Sequence, residues 1–288
     1  MFILKFTKNN KQSMNRFDNN NHQDTIIKCH FFHGNGYPQN DYRSLIDELS
    51  FHLQLKSMRF KPFSKSSQSH ETLNNWKIFK NDSIDYANQN NINQEYAIGH
   101  SMGGNILLQT ALDNNNFYKG IVLLDPTIFI PITAFFWRLI NILSVHPLIR
   151  SVKKRRTNFI SLEEIFVSYR GKRIFSKIND KQLKEYIQSI FISDNGGFPL
   201  NYDLKWEESI YRTAGRSDIE LWKKIDMLKI PTLIIVPDKK PVFSFIARKK
   251  ISKNKFIRIK TINDSSHLFP LEYPLETSKI IIDFFKNI

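Results

Sequence analysis

The sequence predicts an α/β protein built on a mostly parallel sheet with helices on both faces. Short runs rich in β-branched and aromatic residues alternate with segments of helical periodicity, which is the rhythm of strand–helix–strand units. The alternation stops once, from about residue 127 to 220, and resumes at Pro231. We therefore predict a core formed by residues 1–126 and 221–288, with residues 127–220 inserted as a helical cap.

The elements of the chain follow from local patterns. Strands are predicted where apolar residues cluster or alternate, and helices where they recur every three or four positions. The predicted strands are 25–32, 52–60, 94–98, 120–124, 232–236 and 255–262. The predicted helices are 39–53, 72–88, 101–112 and 274–288 in the core, with one opened by a capping box at Ser161–Glu164 and one at 180–191 in the cap. Residues 5–24 are polar and rich in Asn, which indicates a loose hairpin or a frayed edge.

Composition excludes several classes of protein. With 41% hydrophobic and 24% charged residues over 288 positions, a largely disordered chain is excluded. The single cysteine, Cys29, excludes an internal disulfide framework and a zinc site built on thiolates. The N-terminus shows no secretory pattern, and the apolar stretch 121–145 is interrupted by Asp125 and Arg138, which disfavours a spanning helix. We expect a soluble, cytoplasmic protein.

The formal net charge of +15 raises the question of nucleic acid or anionic lipid as a partner. The basic residues are spread widely and no nucleic-acid motif accompanies them, so the sequence predicts no nucleic-acid partner. One stretch differs, because residues 138–156 hold six basic side chains and no acidic one. It overlaps the aromatic and aliphatic run 128–149. Ordinary packing of the cap is the favoured interpretation. The alternatives are an acyl-binding wall next to Ser101 and a weak contact with an anionic membrane surface.

A G-x-S-x-G pattern, Gly99-His100-Ser101-Met102-Gly103, lies where a predicted strand gives way to a helix. A serine at such a turn has strained backbone angles, so the positions two before and two after it must be nearly free of side chain. The turn lifts the hydroxyl clear of the sheet, and the helix N-terminus behind it favours developing negative charge. Ser101 is therefore the predicted nucleophile.

A second Gly-rich loop, HGNG at 33–36, follows the strand at 25–32. It is either a plain turn or a loop whose glycines let the backbone fold beside the serine. In the second case the N–H groups of Asn35 and Met102 form an oxyanion hole. The residues predicted to shape a substrate pocket flank these motifs or lie in the cap, and they are His33, Gly34, His100, Phe135 and Trp137.

The base must be a histidine that can reach Ser101. His267 lies in a polar loop between the last strand and the last helix, and loops at the carboxyl ends of strands surround the site in open α/β sheets. Two carboxylates at strand ends are able to orient it, Asp125 after GIVLL and Asp238 after TLIIVP. Glu272 either supports the His267 loop through backbone hydrogen bonds or is solvated.

From about residue 25 to its end, the chain resembles the α/β-hydrolase superfamily. The resemblance rests on the HGNG loop, the GHSMGG elbow, the LLDP strand end and the late histidine, in the chain order Ser, acid, His. It implies an α/β-hydrolase fold with the nucleophile at Ser101 and the base at His267. The oxyanion donors that it implies are the N–H groups of Asn35 and Met102.

The acid is where the sequence departs from the common pattern of the superfamily. That pattern is G-x-x-D after the strand at 232–236, and Lys240 occupies the acid position here. Some members place the acid one strand earlier, where Asp125 of LLDP lies. The chain is also similar to a serine hydrolase branch with HGNG-[FY]-P, LLDP and H-x-F-P-L-E-x-P, read here at 33–38, 123–126 and 267–274. We therefore favour Asp125 over Asp238.

These residues predict a serine hydrolase of the carboxylic-ester type, which forms an acyl-serine on a small-molecule ester or acyl substrate without a metal or cofactor. A serine nucleophile leaves ester, thioester, amide and carbon–carbon bonds open, and the sequence sets no oligomeric state. The alternatives are a lipase or thioesterase acting at a membrane surface and a non-catalytic ligand-binding protein of the same fold.

Overall fold

The computed structural model describes residues 27–60, 69–142, 146–194 and 196–288. Its strands are β1 (Ile27–Phe32), β2 (Leu53–Met58), β3 (Glu95–His100), β4 (Tyr118–Leu124), β5 (Asn158–Phe159), β6 (Phe198–Pro199), β7 (Thr232–Pro237) and β8 (Ile257–Ile262). Six of them form one parallel sheet in the order β2-β1-β3-β4-β7-β8. The predicted α/β class is confirmed. The hairpin predicted at 5–24 lies outside the described residues.

Helices cover both faces of this sheet. In the core they are α1 (Arg43–Ser50), α2 (Lys77–Gln89), α3 (Met102–Asp113), α10 (Phe245–Ile251), α11 (Phe269–Glu272) and α12 (Pro274–Lys286). Ile121 and Leu123 of β4 join one hydrophobic cluster with α2, α3 and α10, whereas Val122 and Leu124 join a second cluster with α1 and α12. A strand buried on both faces reads as a continuous apolar run, which is why GIVLL predicted it.

Two core helices are shorter than predicted. Residues 39–42 form a 3₁₀ turn, and the α-helix that follows them ends at Ser50. The helix predicted from residue 72 begins at Lys77, because the Asn75 side chain accepts the Lys77 N–H at 2.8 Å and so competes with a helical path before it. Apolar spacing alone does not register such a local side-chain cap.

The segment between β4 and β7 is mainly helical. Its helices are α4 (Pro131–Ile142), α5 (Pro147–Lys153), α6 (Leu162–Arg170), α7 (Asp180–Ile190), α8 (Leu204–Thr213) and α9 (Asp218–Lys224). The sequence missed its antiparallel pair β5–β6, because two residues are too short for alternation to show. Half of the predicted capping box forms at α6: Ser161 accepts the Glu164 N–H, but the Glu164 carboxylate accepts from Ile160. The division into core and cap stays our proposal.

Among the described residues, no single helix is long and apolar enough to cross a membrane. Helices α4 and α5 reach that length only as a pair, with a bend of 43° between them.

Candidate active site

Ser101 lies in the sharp turn between β3 and α3, with φ 55° and ψ −116°. The turn is tightly packed. A Cβ at Gly103 would lie 2.2 Å from the carbonyl oxygen of Phe32, and one at Gly99 would lie 2.6 Å from that of Gly103. Both glycines are therefore required for close backbone approach, as the G-x-S-x-G pattern predicts.

Three side chains from separate strand ends meet at this turn. His267 Nε2 lies 3.1 Å from Ser101 Oγ, and His267 Nδ1 lies 2.6 Å from Asp125 Oδ2. With the ring in the tautomer that carries its proton on Nδ1, His267 donates to the carboxylate and accepts from the serine hydroxyl. Of the two predicted acids, Asp125 is thus the one that contacts His267.

Asp125 directly follows β4 and is fully buried. The backbone N–H of Val242 donates to Oδ2 at 2.9 Å, and that of Phe243 donates to Oδ1 at 3.0 Å. A buried carboxylate without such donors would be strongly disfavoured. These two amides therefore fix its orientation toward His267.

The other carboxylates near the His267 loop act on its backbone. Asp238 accepts the Ser265 N–H at 2.9 Å, and this hydrogen bond lowers the pKa of Asp238 below its ordinary value. Glu272 accepts the Ser266 N–H at 2.8 Å and also the Ser266 hydroxyl. The supporting interpretation of Glu272 is therefore confirmed, and Asp238 supports the same loop without touching the imidazole.

The HGNG loop lies beside the serine. A Cβ at Gly34 would be 3.4 Å from Ser101 Cβ. Asn35 is buried, and its side-chain amide donates to the backbone carbonyl of Glu207 at 3.3 Å. Met102 is the first residue of α3, where N–H groups have no acceptor within the helix. The roles of Asn35 and Met102 as a pair of oxyanion donors stay a prediction that this placement favours.

A buried hydrogen-bond chain joins the HGNG loop to the His267 loop. Gly34 N–H donates to Tyr42 Oη at 3.1 Å, Tyr42 donates to His100 Nδ1 at 2.6 Å, and His100 Nε2–H donates to the carbonyl of His267 at 3.0 Å. Burial holds the pKa of His100 well below its ordinary value, so the ring is neutral. The sequence predicted His100 as a pocket residue and missed Tyr42.

His33 has a comparable role on the other side of the loop. Nδ1–H donates to the Gly34 carbonyl at 2.8 Å, and Nε2 accepts the Phe60 N–H at 3.1 Å. Burial lowers the pKa of His33 to about 4, so it is neutral at physiological pH. His33 therefore holds the HGNG loop against the segment that follows β2.

Thr127 is a site residue that the sequence missed. Its hydroxyl lies 3.1 Å from Ser101 Oγ, and its N–H donates to the Ser101 carbonyl at 3.0 Å. Asn105 of α3 donates to the Thr127 carbonyl and to the buried carboxylate of Asp218. Burial raises the pKa of Asp218 to about 6. The sequence signal that could have indicated Thr127 is its position two residues after Asp125, a predicted acid.

The two predicted pocket residues of the cap lie on α4. Trp137 contacts Phe129 and His146, and its indole N–H donates to the carbonyl of Tyr211 at 2.7 Å. Phe135 is 60% exposed and contacts Phe136. Trp137 is thus packed within the cap, and Phe135 lies on its surface. A role in a substrate pocket stays a prediction for both residues. Among the described residues, no cluster of His, Cys, Asp or Glu is arranged to hold a metal ion.

Comparison with solved structures identifies the fold. The chain is similar to an E-2-(acetamidomethylene)succinate hydrolase (17% identity, TM-score 0.74, 91% of each chain covered). It is also similar to an esterase from M. tuberculosis (14%, 0.71, 91% of this chain and 86% of that one) and to a thioesterase domain from the curacin biosynthetic pathway (15%, 0.67, 90% and 92%). No family model and no curated protein sequence matches the chain. The protein therefore has the α/β-hydrolase fold that its motifs predicted, and at these identities the reaction must be argued from the site.

Proposed function

We propose that the protein is a serine hydrolase that cleaves carboxylic esters through an acyl-serine intermediate. One observation carries the proposal: Ser101 Oγ, His267 and the buried Asp125 form a continuous hydrogen-bonded chain at the end of the sheet. The alcohol and the imidazole are within reach of proton transfer, and the carboxylate holds the ring in the tautomer that can accept the proton.

In the first step, Ser101 Oγ attacks the ester carbonyl while His267 Nε2 takes its proton. The carbonyl π electrons move to oxygen, where the N–H groups of Asn35 and Met102 receive the charge, each contributing about 3–4 kcal/mol in the transition state. The intermediate expels the alcohol, which leaves with the proton from His267. Water then attacks the acyl-serine, and His267 again accepts and returns a proton as the acid is released.

The test is labelling with a fluorophosphonate probe. The probe is expected to label the wild-type protein but not Ser101→Ala. The same variant should lose its esterase activity on p-nitrophenyl butyrate. Thr127→Ala is the matched control, because it removes a hydroxyl beside Ser101 and keeps the nucleophile. Absence of labelling in folded wild-type protein would reject the hydrolase and favour the non-catalytic ligand-binding alternative.

A second candidate, action at a membrane surface, is favoured by an apolar face on α4. Phe135 is 60% exposed and Ile142 75%, and Ile132, Phe136 and Leu139 are exposed as well. Clustered exposed apolar side chains mark interaction surfaces. The positive charge of 138–156 favours an anionic membrane less than the sequence indicated. Three of its six basic residues form ion pairs with described residues: Lys153 with Glu208, Arg155 with Glu207 and Arg156 with Glu164.

Vesicle co-sedimentation separates the two candidates. If the protein acts at membranes, it should bind vesicles of phosphatidylcholine with phosphatidylglycerol, and Phe135→Ser together with Ile142→Ser should abolish binding while p-nitrophenyl butyrate is still hydrolysed. If neither vesicle binding nor a rate increase on long-chain esters is seen, the small-ester proposal stands and the membrane candidate is rejected.

A further inference from the structure

A cavity of about 420 Å³ opens between the loop after β1 and the segment that follows β4. Gly36 and Tyr37 form part of its wall. The remaining wall comes mainly from α5, α6 and their flanking turns, with contributions from α7 and α8. The volume is in the range of ligand sites.

The HGNG loop connects this cavity to the proposed nucleophile. A Cβ built on Gly34 would lie 3.4 Å from Ser101 Cβ, and Gly36 on the cavity wall is two residues farther along, at most about 7.6 Å from Gly34 between Cα atoms. A Cβ at Gly36 would lie 3.1 Å from Glu207 Oε1, so the loop rests directly on the cavity wall. A substrate whose carbonyl lies at Ser101 would reach the cavity by extending along the HGNG loop.

The charge of the wall is unbalanced. Arg155 forms a two-point ion pair with the buried Glu207 carboxylate, at 2.7 and 2.8 Å, and the hydroxyl of Tyr202 donates to the same carboxylate. Lys154 and Lys172 also line the cavity, and within the described part of the chain no carboxylate forms an ion pair with either. The cavity thus carries excess positive charge next to a rigid, fully paired arginine.

Two donors on this wall are left for a ligand. The Tyr169 hydroxyl is buried and has no hydrogen-bond partner among the described residues, which is a costly state for a polar group. Lys172 Nζ lies over the ring of Tyr169, 3.4 Å from its centroid. Burial, and then the charge of Arg155, lower the pKa of Lys172 to about 8, and the charge of Glu207 opposes this shift only in part.

We infer that this cavity binds an oxyanion group of the substrate, a carboxylate or a phosphate, with Lys172 and the Tyr169 hydroxyl as its donors. The inference deepens the proposed function, on which it rests, by naming the substrate class: an ester that carries a second, anionic group on its acyl part. The Arg155–Glu207 pair holds the cavity against the HGNG loop, so the anion site and the proposed oxyanion hole share one support.

The first test compares two esters of similar size, p-nitrophenyl hydrogen glutarate and the neutral p-nitrophenyl pentanoate. Wild type should show a kcat/KM roughly tenfold or more higher on the anionic ester, since one lost charge-assisted contact is worth about a factor of ten. Lys172→Met should lower kcat/KM on the anionic ester about tenfold more than on the neutral one, and Tyr169→Phe should do so by a smaller factor. Lys172→Arg should retain most of the preference.

Lys181→Met is the matched control, because Lys181 is an exposed lysine of α7 and does not line the cavity. Equal losses on both esters in Lys172→Met, or no preference in wild type, would overturn the inference. If the protein cleaves no ester, the anion site is tested by calorimetric titration of the protein with glutarate and with inorganic phosphate. Binding that Lys172→Met abolishes would then support the anion site although the hydrolase proposal had failed, and no binding of either anion to wild type would reject the site.

Discussion

The network of Asp125, His267 and His100 at the strand ends and the cavity beyond the HGNG loop satisfy their polar groups in different ways. Asp125, His267 and His100 all have protein partners, and those partners hold each group in one orientation. In the cavity, the Tyr169 hydroxyl has no partner among the described residues. Polar groups that all have protein partners are held in place for a reaction before any ligand binds. Donors without a protein partner indicate where a ligand supplies the acceptor. The following predictions test that difference.

The largest effect should come from the acid that orients His267. Asp125→Asn is expected to lower kcat by about 10³–10⁴, because an asparagine favours the wrong imidazole tautomer. Asp238→Asn, which leaves the imidazole contacts intact, should change kcat only a few-fold. Steady-state kinetics on one ester with both variants decides between them, and a reversed ranking would assign the acid to Asp238.

The next effect concerns pH and the cavity. Because the pKa of Lys172 is about 8, its ammonium is present below pH 8 and is lost above it. The ratio of kcat/KM for the anionic and neutral esters should therefore be constant from pH 6 to 7 and fall about tenfold by pH 9.5, since kcat/KM reports the free enzyme. Both esters use the same base, so its titration cancels in the ratio.

Other titratable groups also surround Lys172. They include the Arg155–Glu207 ion pair. Burial raises the pKa of Tyr169 to about 12 and raises that of Tyr186 well above its ordinary value. Lys154 and Arg156 also line the cavity. Two results would contradict the role of Lys172 as the anion donor. One is a kcat/KM ratio for the two esters that does not change with pH, and the other is a ratio that falls with pH as much in Lys172→Met as in wild type.

A smaller effect is expected from the chain that links the two loops. Tyr42→Phe leaves Gly34 N–H and His100 Nδ1 without their shared partner, at a cost of about 1–3 kcal/mol in the free energy of unfolding. As a positioning change it should lower kcat several-fold with KM little altered. Thermal unfolding and kinetics measured together check this. Ser44→Ala, a nearby hydroxyl that bonds Glu185 instead, is the control and should leave kcat unchanged.

The smallest effect should be that of Thr127→Val. The hydroxyl accepts from or donates to Ser101, and either arrangement leaves the Ser101–His267 hydrogen bond in place. A loss of kcat within about fivefold is expected from one neutral hydrogen bond. A loss comparable with that of Asp125→Asn would place Thr127 within the reacting group of residues.

The strand-end site was readable from the sequence because each part lies at a position that local pattern defines. Buried strands read as apolar runs, and Ser101 and Asp125 directly follow two of them. Those placements are confirmed as geometry, while the catalytic roles stay predictions. The choice between Asp125 and Asp238 needed coordinates, since both follow strands and only a distance separates them.

The cavity left no comparable signal. Tyr169 and Lys172 lie near the end of α6, Arg155 follows α5, and Glu207 belongs to α8, so only tertiary packing brings them together. A buried ion pair of this kind has no spacing rule, because its partners are 52 positions apart.

The way Asp125 is held has a consequence for protein engineering. The loop after β7 contributes no side chain to the Ser–His–Asp chain and supplies two main-chain amides instead. An exposed side chain of this loop is therefore open to redesign: at Val242, which is 41% exposed, a saturation library should tolerate nearly every residue. Proline is the exception, since it lacks the N–H that the carboxylate requires.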